Sequence, residues 1–597
     1  MHHKFSIIAL LSVLMLASCN DLFEDAPNDK LSENLIWTNP QLLDEYVMPL
    51  YDGMDDGFST FVTTISLVKG MGREYEPWYA DQLTVSRSDW YTADYGNVLK
   101  SSQQDITQKA RVQWLAYYSA IRTVNNLLEH MPDIPEGAQK ERLKGEAHFF
   151  RAYYYYCLLR NFGGPLLVKR TFDPLHEDST SVRFPRASFE ETVRFIVEEA
   201  EAAAPLLAVT NSTEDTGRAT RGAAYTLAGK AYMWAAGVHF QNVAAETPWL
   251  GFPDNRTKEM LLAAEKEYNK VSDLKVYSLV PIQGTTQDEI VAGYRKIFLT
   301  KNSQESIWEV QVADDGDYST KNGHQLDRMA AAPYFGGTYC AYVPTQNHVD
   351  EYCMAANGLP ITNAASGYDK NKPYEGRDPR FYANVLYDGA TWNGHVMDIH
   401  YTIDEDGKEV PGADLTKYGT SETAAVTKTG YYMAKFLNEK QKIDYDDTYA
   451  SSQNCILWRW AEIMLDYAEI YYQTDRPGDA LDMLNQIRGR VHMPPYSSIT
   501  WDNIMNERRV EMAFEKTTYW DLLRYGTAEQ KMTGKSNPLY GVKIVLKQDG
   551  TYTRTQKTVN GKNTTTRYFR ARQYFKPMSW DDVRFHGVEQ NPEWLEM

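Results

Sequence analysis

The sequence predicts a mainly α chain: a TPR-like scaffold of stacked helix pairs carrying a large irregular, loop-rich region and short β-hairpins. Three observations carry this reading. Long segments repeat apolar residues with a 3.6-residue period, and small residues recur where such helices would touch. The periodicity then lapses over about 275–450, a stretch rich in Gly, Asp, Tyr and Asn. The 597 residues are 43% hydrophobic and 24% charged, which excludes a disordered tail, a collagen or a small disulfide scaffold. No Gly/Ser/Pro-rich linker divides the chain, so residues 37–597 are read as a single body. A net charge of −18 repels phosphate backbones and argues against a nucleic-acid partner. The 42 Tyr, beside 14 Trp and 21 Phe, bring more ring hydroxyls than core packing asks for. They fit a surface that meets a ligand, because Tyr and Trp are apolar at one end and polar at the other.

Residues 1–18 read as a signal peptide. A basic start at Lys4 precedes an apolar run from Phe5 to Leu16, too short for the roughly 20 residues that span a bilayer. Leu16-Ala17-Ser18-Cys19 has the form of a lipobox, in which small residues lead into a cysteine whose thiol is lipidated. Residues 19–36 then form a tether. The acidic stretch Asn20-Asp21-Leu22-Phe23-Glu24-Asp25 resembles the export signal of surface lipoproteins, which places the chain on the outer membrane facing the exterior.

The body begins with Asn39 capping and Pro40 starting a helix through Leu42, Leu43 and Tyr46. A helix over about 104–130 aligns Ile106, Ala110, Trp114, Tyr117, Ile121, Val124 and Leu128 on one face, and Pro132 ends it. The next, about 138–160, runs through the Tyr153–Tyr156 cluster to Phe162-Gly163-Gly164-Pro165. Ser188 and Glu191 form a capping box before Val193, Ile196 and Ala200. A small-residue helix from Ala219 to Gly237 and another over about 256–271 complete the first scaffold block, about 37–272. After the irregular region, about 273–454, helices resume at 459–475, 478–490 and 502–525. The second scaffold block is thus about 455–526. Residues 540–575 alternate as a β-meander with Asp549-Gly550 and Asn560-Gly561 as turns.

The chemistry-bearing residues form no recognised catalytic pattern. There is no Gly-rich phosphate loop, HExxH helix, GxSxG elbow or paired CxxC, so no catalytic residue, metal site or cofactor is expected. A glycosidase needs only two carboxylates, and that alternative stays open. The pairs Glu190/Glu191 and Glu198/Glu199 read as a solvated helix face, and the 12 His are scattered. Cys157 reads as a buried thiol; Cys340 and Cys353 are near enough in sequence to pair in an oxidising space, or to remain free.

Several blocks together resemble the SusD/RagB family of outer-membrane nutrient-binding lipoproteins. They are Leu143-Lys144-Gly145-Glu146-Ala147-His148-Phe149-Phe150-Arg151-Ala152 with Asn161-Phe162-Gly163-Gly164-Pro165, then the run from Arg459 to Glu469, and Asn485-Gln486-Ile487-Arg488-Gly489-Arg490. Glu507-Arg508-Arg509-Val510-Glu511-Met512-Ala513-Phe514-Glu515 follows, leading into Asp521-Leu522-Leu523-Arg524-Tyr525-Gly526. The family usually has Gly and Arg where Lys516 and Thr518 stand here. The charges in these blocks, among them Arg459, Glu462, Glu469, Arg488, Arg490, Glu507, Arg508 and Glu515, read as inter-helix ion pairs, which is scaffolding. The resemblance implies a lipoprotein that captures a glycan and hands it to a SusC-like TonB-dependent transporter. A RagB-like branch of the family handles peptides instead.

A sugar presents apolar C–H faces ringed by hydroxyls, so its site needs flat rings with polar groups at the edge. The densest such mixture is Trp78, Tyr79 and Asp81, followed by Trp90, Tyr91 and Tyr95. Tyr334, Phe335, Tyr339 and Tyr342 around Gly336-Gly337 are the central candidates, with Trp392 further off. Trp78 and Trp90 read equally as platform or core; Trp114, Tyr117 and Tyr153–Tyr156 follow helical spacing and read as core. The negative charge disfavours polyanionic ligands, so a neutral oligo- or polysaccharide is expected.

Overall fold

The computed structural model describes residues 33–54, 58, 80–84, 86, 103–173, 177, 184–313, 323–337, 340–416, 426–441, 443, 451–534, 536–559 and 569–594. Its longer helices are α1 (Pro40–Asp52), α2 (Gln103–Glu129), α3 (Ala138–Phe162), α4 (Phe189–Ala203), α5 (Arg221–Ala235), α6 (Thr257–Asp273), α7 (Gln287–Leu299), α8 (Trp460–Gln473), α9 (Pro477–Arg490), α10 (Trp501–Glu511) and α11 (Thr517–Arg524). The strands that matter below are β1 (Ser306–Val310), β2 (Thr391–Trp392), β3 (His395–Val396), β4 (Tyr401–Ile403), β5 (Glu409–Pro411), β6 (Cys455–Arg459), β7 (Tyr540–Leu546) and β8 (Tyr552–Thr558).

The scaffold follows the periodic pattern. Asn39 accepts the Gln41 and Leu42 N–H groups to start α1, and Ser188 with Glu191 closes the capping box of α4. Each helix from α2 to α6 packs on the next, and α8 packs on α6, α9 and α10. The approach of α5 to α6 is close because α5 is built of small residues. Ala223, Ala224, Ala228 and Ala231 are fully buried, and a Cβ on Gly229 would lie 2.3 Å from the Tyr268 ring.

Four expectations are corrected. The helix expected over 502–525 is two, because Phe514 and Lys516 adopt left-handed backbone (φ 65° each) and turn the chain between α10 and α11. The irregular region holds α7, whose Thr286–Glu289 capping box and buried Ile290, Tyr294, Ile297 and Phe298 are ordinary helix signals. That region also has a core of its own, built on Cys340, Tyr342, Tyr352, Phe381, Tyr432 and Met433. Glu199 is not on a solvated face: it is buried and takes a two-pronged contact from Arg151 and one from His148. Finally, among the described tyrosines only Tyr334 and Tyr552 are exposed. Tyr154, Tyr155, Tyr268 and Tyr294 are buried and spend their hydroxyls on Leu50 O, Val168 O, Asp466 and Glu511 O. A buried ring that ties down a polar chain segment does two jobs at once. Cys340 and Cys353 are buried and are not joined in a disulfide.

The C-terminal strands form a hairpin that joins an earlier one in a single sheet. β7 and β8 pair antiparallel around Asp549-Gly550, and β7 also runs parallel to β4, giving the sheet order β8-β7-β4-β5. Asn560-Gly561 lies outside the described residues.

The charges expected to pair between helices form a buried network. Arg459 reaches Glu305, Glu511 and Glu515; Arg490 reaches Glu305 and Glu511; Arg380 reaches Asp378, Glu507 and Glu511; Arg488 meets Glu507; Lys435 meets Glu515. All ten side chains are at most 7% exposed. Burial alone would raise the Glu511 carboxyl, yet Arg490, Arg459, Arg380 and Lys435 hold it well below its ordinary value. Burial is likewise overcome at Glu515, by Arg459 and Lys435.

Removing one member strands its partners in low dielectric, so Glu511→Ala is expected to cost about 3–5 kcal/mol, read as a lower urea midpoint. Carboxylates depressed in the folded state contribute stability that is fully present above their unfolded pKa and lost as pH falls through the folded one. Urea midpoints should therefore hold steady above about pH 5 and fall below it. Lys516→Gly should raise stability by about 0.5–1 kcal/mol, because glycine adopts the left-handed conformation at Lys516 without a Cβ clash.

Candidate functional site

Of the residues expected to bind ligand, Trp78, Tyr79, Trp90, Tyr91, Tyr95 and Tyr339 lie outside the described residues, as does the lipidation site Cys19. Asp81 is described and faces inward. It is 5% exposed, and its Oδ1 accepts from Arg509 Nη2 at 2.8 Å while Arg509 Nε engages Glu351. It is a counter-ion within the body, not the open rim carboxylate expected from its neighbours in sequence. Tyr342 is core.

Tyr334 is different. It is 44% exposed and stands at the mouth of a cleft of about 330 Å³ lined by Phe335, Trp392, Asn393, Asn438, Glu439, Gln441 and Ile443, among others. The platform is built from two turns. Gly336 (φ 91°) and Gly337 allow the chain to fold back beneath Tyr334-Phe335; a Cβ on Gly337 would lie 1.8 Å from Ala331 O. On the other side, Asn393 (φ 46°) and Gly394 (φ 77°) make the two-residue turn between β2 and β3, the geometry Asn-Gly favours. That hairpin lays the His395 ring on Tyr334, with centroids 3.7 Å apart and planes 12° from parallel. His395 Nε2 is 2.8 Å from Asp414 Oδ2, and Asp414 is fully buried, so the imidazole is fixed from behind. One face of Tyr334 is thus backed by His395 while much of the ring remains open.

Trp392 is 5% exposed. The Arg295 guanidinium lies 4.3 Å from its centroid, and burial lowers the Arg295 pKa. Arg295 also donates to Leu437 O and pairs with Glu439 at 3.5 Å. Trp392 therefore supports the rim that carries Asn438 and Glu439 from below. Asp327, at the floor, is 2% exposed and accepts from the Asn438 N–H and from Gln453 Nε2. A stacking ring edged by amides and fixed carboxylates can hold a ligand that offers both an apolar face and hydroxyls. His395 and Trp392 had a readable signal in Asn393-Gly394, which marks a hairpin.

A second cleft, about 140 Å³, lies among α3, α5 and α11. Its charged lining is committed to structure: Lys230 to Glu462, and Arg508 to Asp466 and Asp521. Asp388, Asp398 and His400 also converge, near the base of the β2–β3 hairpin, in a grouping that the search of the sequence for metal ligands missed.

Residues 304–594 match the family model described as SusD family, and residues 28–233 match one described as starch-binding associating with outer membrane. The chain belongs to the SusD family. A SusD-like protein of Bacteroides ovatus is 23% identical over 541 residues, covering 88% of this chain and 83% of the relative. Among solved structures, a SusD-like protein from Bacteroides fragilis superposes with a TM-score of 0.70 at 24% identity, covering 95% of this chain and all of the other. A SusD-like carbohydrate-binding protein from the same species has a TM-score of 0.67 at 20% identity, covering 92% and 99%. The face carrying Tyr334 belongs to the region between the scaffold blocks.

If His395 holds the Tyr334 ring as described, His395→Ala should leave the melting temperature within a few degrees and speed the modification of Tyr334 by a tyrosine-directed surface reagent, read by peptide mass mapping, because the backing ring is gone.

Proposed function

We propose that this chain is a non-catalytic, cell-surface glycan-binding lipoprotein that captures an oligo- or polysaccharide and delivers it to a SusC-like TonB-dependent outer-membrane transporter. The observation that carries the reading is Tyr334: an exposed ring, backed by His395, at the mouth of a cleft rimmed by Asn393, Asn438 and Gln441. The carbohydrate-binding neighbour of like fold supports it. A non-catalytic role is supported by the carboxylates of the cleft, since Asp327 is held by Asn438 and Gln453 and Glu439 by Arg295. Neither stands as a free acid or base beside the platform.

A neutral glycan fits the net charge of −18, whose repulsion of polyanions acts within a screening length of about 8 Å at physiological salt. Trp78 and Trp90 are proposed as further platforms. Lipidation at Cys19, after removal of residues 1–18, would anchor the body; several acyl chains give stable attachment where one does not.

Affinity electrophoresis of residues 20–597 through neutral polysaccharides should show retardation by at least one. Tyr334→Ala should weaken it about tenfold with no change in melting temperature, and no new reducing ends should form. Equal retardation of wild type and Tyr334→Ala would remove Tyr334 from the site, and binding of peptides in place of every glycan would replace the ligand class. Cys19→Ala should shift the full-length chain from the membrane to the soluble fraction of the cell.

A further inference from the structure

At the base of the β2–β3 hairpin the chain brings together Asp388, from the turn that precedes β2, and Asp398 and His400, from the segment between β3 and β4. Their ligating atoms all lie within 4.8 Å of one another. His400 Nδ1 is 2.8 Å from Asp388 Oδ1 and 3.3 Å from Asp398 Oδ1. The single Nδ1 position cannot serve both carboxylates with one proton. Asp388 takes it, and Asp398 Oδ1 is left buried with no hydrogen-bond partner. A carboxylate oxygen shut off from water and unpaired is costly, and a cation removes that cost.

The groups are also held in place from behind. Asp388 Oδ1 accepts the Ile399 N–H at 2.9 Å, and Asp398 Oδ2 accepts the Ala413 N–H at 2.9 Å. The Asp398 N–H donates to Asp414 Oδ2 at 2.7 Å; Asp414 is fully buried, and its own Oδ1 is a second carboxylate oxygen with no hydrogen-bond partner. Gly412 completes the cradle, since a Cβ there would fall 2.0 Å from Asp398 Oδ1. Outer contacts of this kind orient metal ligands.

We propose that Asp388, Asp398 and His400 form a binding site for a divalent cation of the zinc class. One imidazole nitrogen with two carboxylate oxygens suits zinc or cobalt, whereas calcium and magnesium take all-oxygen shells. Bonds of about 2.0–2.2 Å place neighbouring ligands of a tetrahedral ion roughly 3.3–3.5 Å apart, close to the 3.3 Å between His400 and Asp398. His400 binds through Nδ1 with its proton on Nε2. The His400 side chain is 18% exposed and that of Asp398 is 38% exposed, so the cluster lies close to solvent although Asp398 Oδ1 itself is covered. The bound ion cross-links the two ends of the segment that presents His395 to Tyr334, and so stiffens the platform from a site that touches no ligand.

The test uses untagged residues 20–597, stripped with chelator and free of sugar, so that its result is independent of the glycan reading. Calorimetric titration with zinc chloride should give one saturable equivalent and a raised melting temperature, and cobalt chloride should give a d–d absorption band. Calcium and magnesium chlorides should give neither. Asp388→Asn and His400→Gln should weaken zinc binding by more than about tenfold at unchanged circular dichroism, with Asp398→Asn, at the more exposed position, as the variant to rely on if either fails to fold. Absence of a saturable site in the wild type, or an unaltered cobalt band in His400→Gln, overturns the proposal.

Discussion

Arg459 reaches Glu305, Glu511 and Glu515 at once, and each of those carboxylates is shared with a further cation, Arg490 or Lys435. Five cations and five carboxylates are removed from water together, and none could be buried alone. Their positions in the chain matter more than their number. Arg459, Arg488, Arg490, Glu507 and Glu511 belong to the helical scaffold or its edge, whereas Glu305, Asp378, Arg380 and Lys435 come from the region between the scaffold blocks. The network therefore ties the scaffold to the region between its blocks alongside shared apolar contacts: Val510 and Phe514 of the scaffold belong to the second core, and Val310 and Leu457 pack against both cores. Arg is suited to this because its planar fork satisfies two carboxylates in fixed directions, where an apolar contact would permit sliding.

That rigidity reaches the face carrying Tyr334 by short routes. Asp327, at the floor of the Tyr334 cleft, is bonded to Gln453, two residues before β6, which ends at Arg459. Arg295, which supports the opposite rim, lies on α7 beside Tyr294, and the Tyr294 hydroxyl donates to Glu511 O. The platform itself is made by turns, but the walls around it are extensions of the ionic network. Side chains at the rim can change without disturbing the scaffold beneath them.

The helical scaffold was legible because an interior helix must repeat its apolar residues at Ala110, Trp114, Tyr117, Ile121 and Val124, and all five are buried. The turn after α10 was not, since its left-handed residues are Phe514 and Lys516, where glycine would have announced it. α7 carried its signals in full, but they sat within a stretch whose composition reads as loop. Tyr117 and Tyr153–Tyr156 were legible as core from their helical spacing, whereas composition cannot say where the hydroxyls of Tyr268 and Tyr294 find their acceptors. At the site, Tyr334 could be read from aromatics around Gly336-Gly337, while the stacked His395 required knowing that β2 and β3 fold back on each other. Asp81 looked like a rim residue among its neighbours in sequence; its partner, Arg509, lies 428 positions away.

The parallel pairing of β7 with β4 gives the order of synthesis a consequence. β4 and β5 emerge well over a hundred residues before the strand that completes their sheet, and Arg186, beside α4, waits longer still for Glu589 O and Asn591. A chain exported from its N-terminus first would hold those edges open, with unpaired backbone groups, until the final segment arrived. For a chain that emerges in that order, the sheet closes only once its last segment has arrived, and its unpaired edge is the part exposed longest.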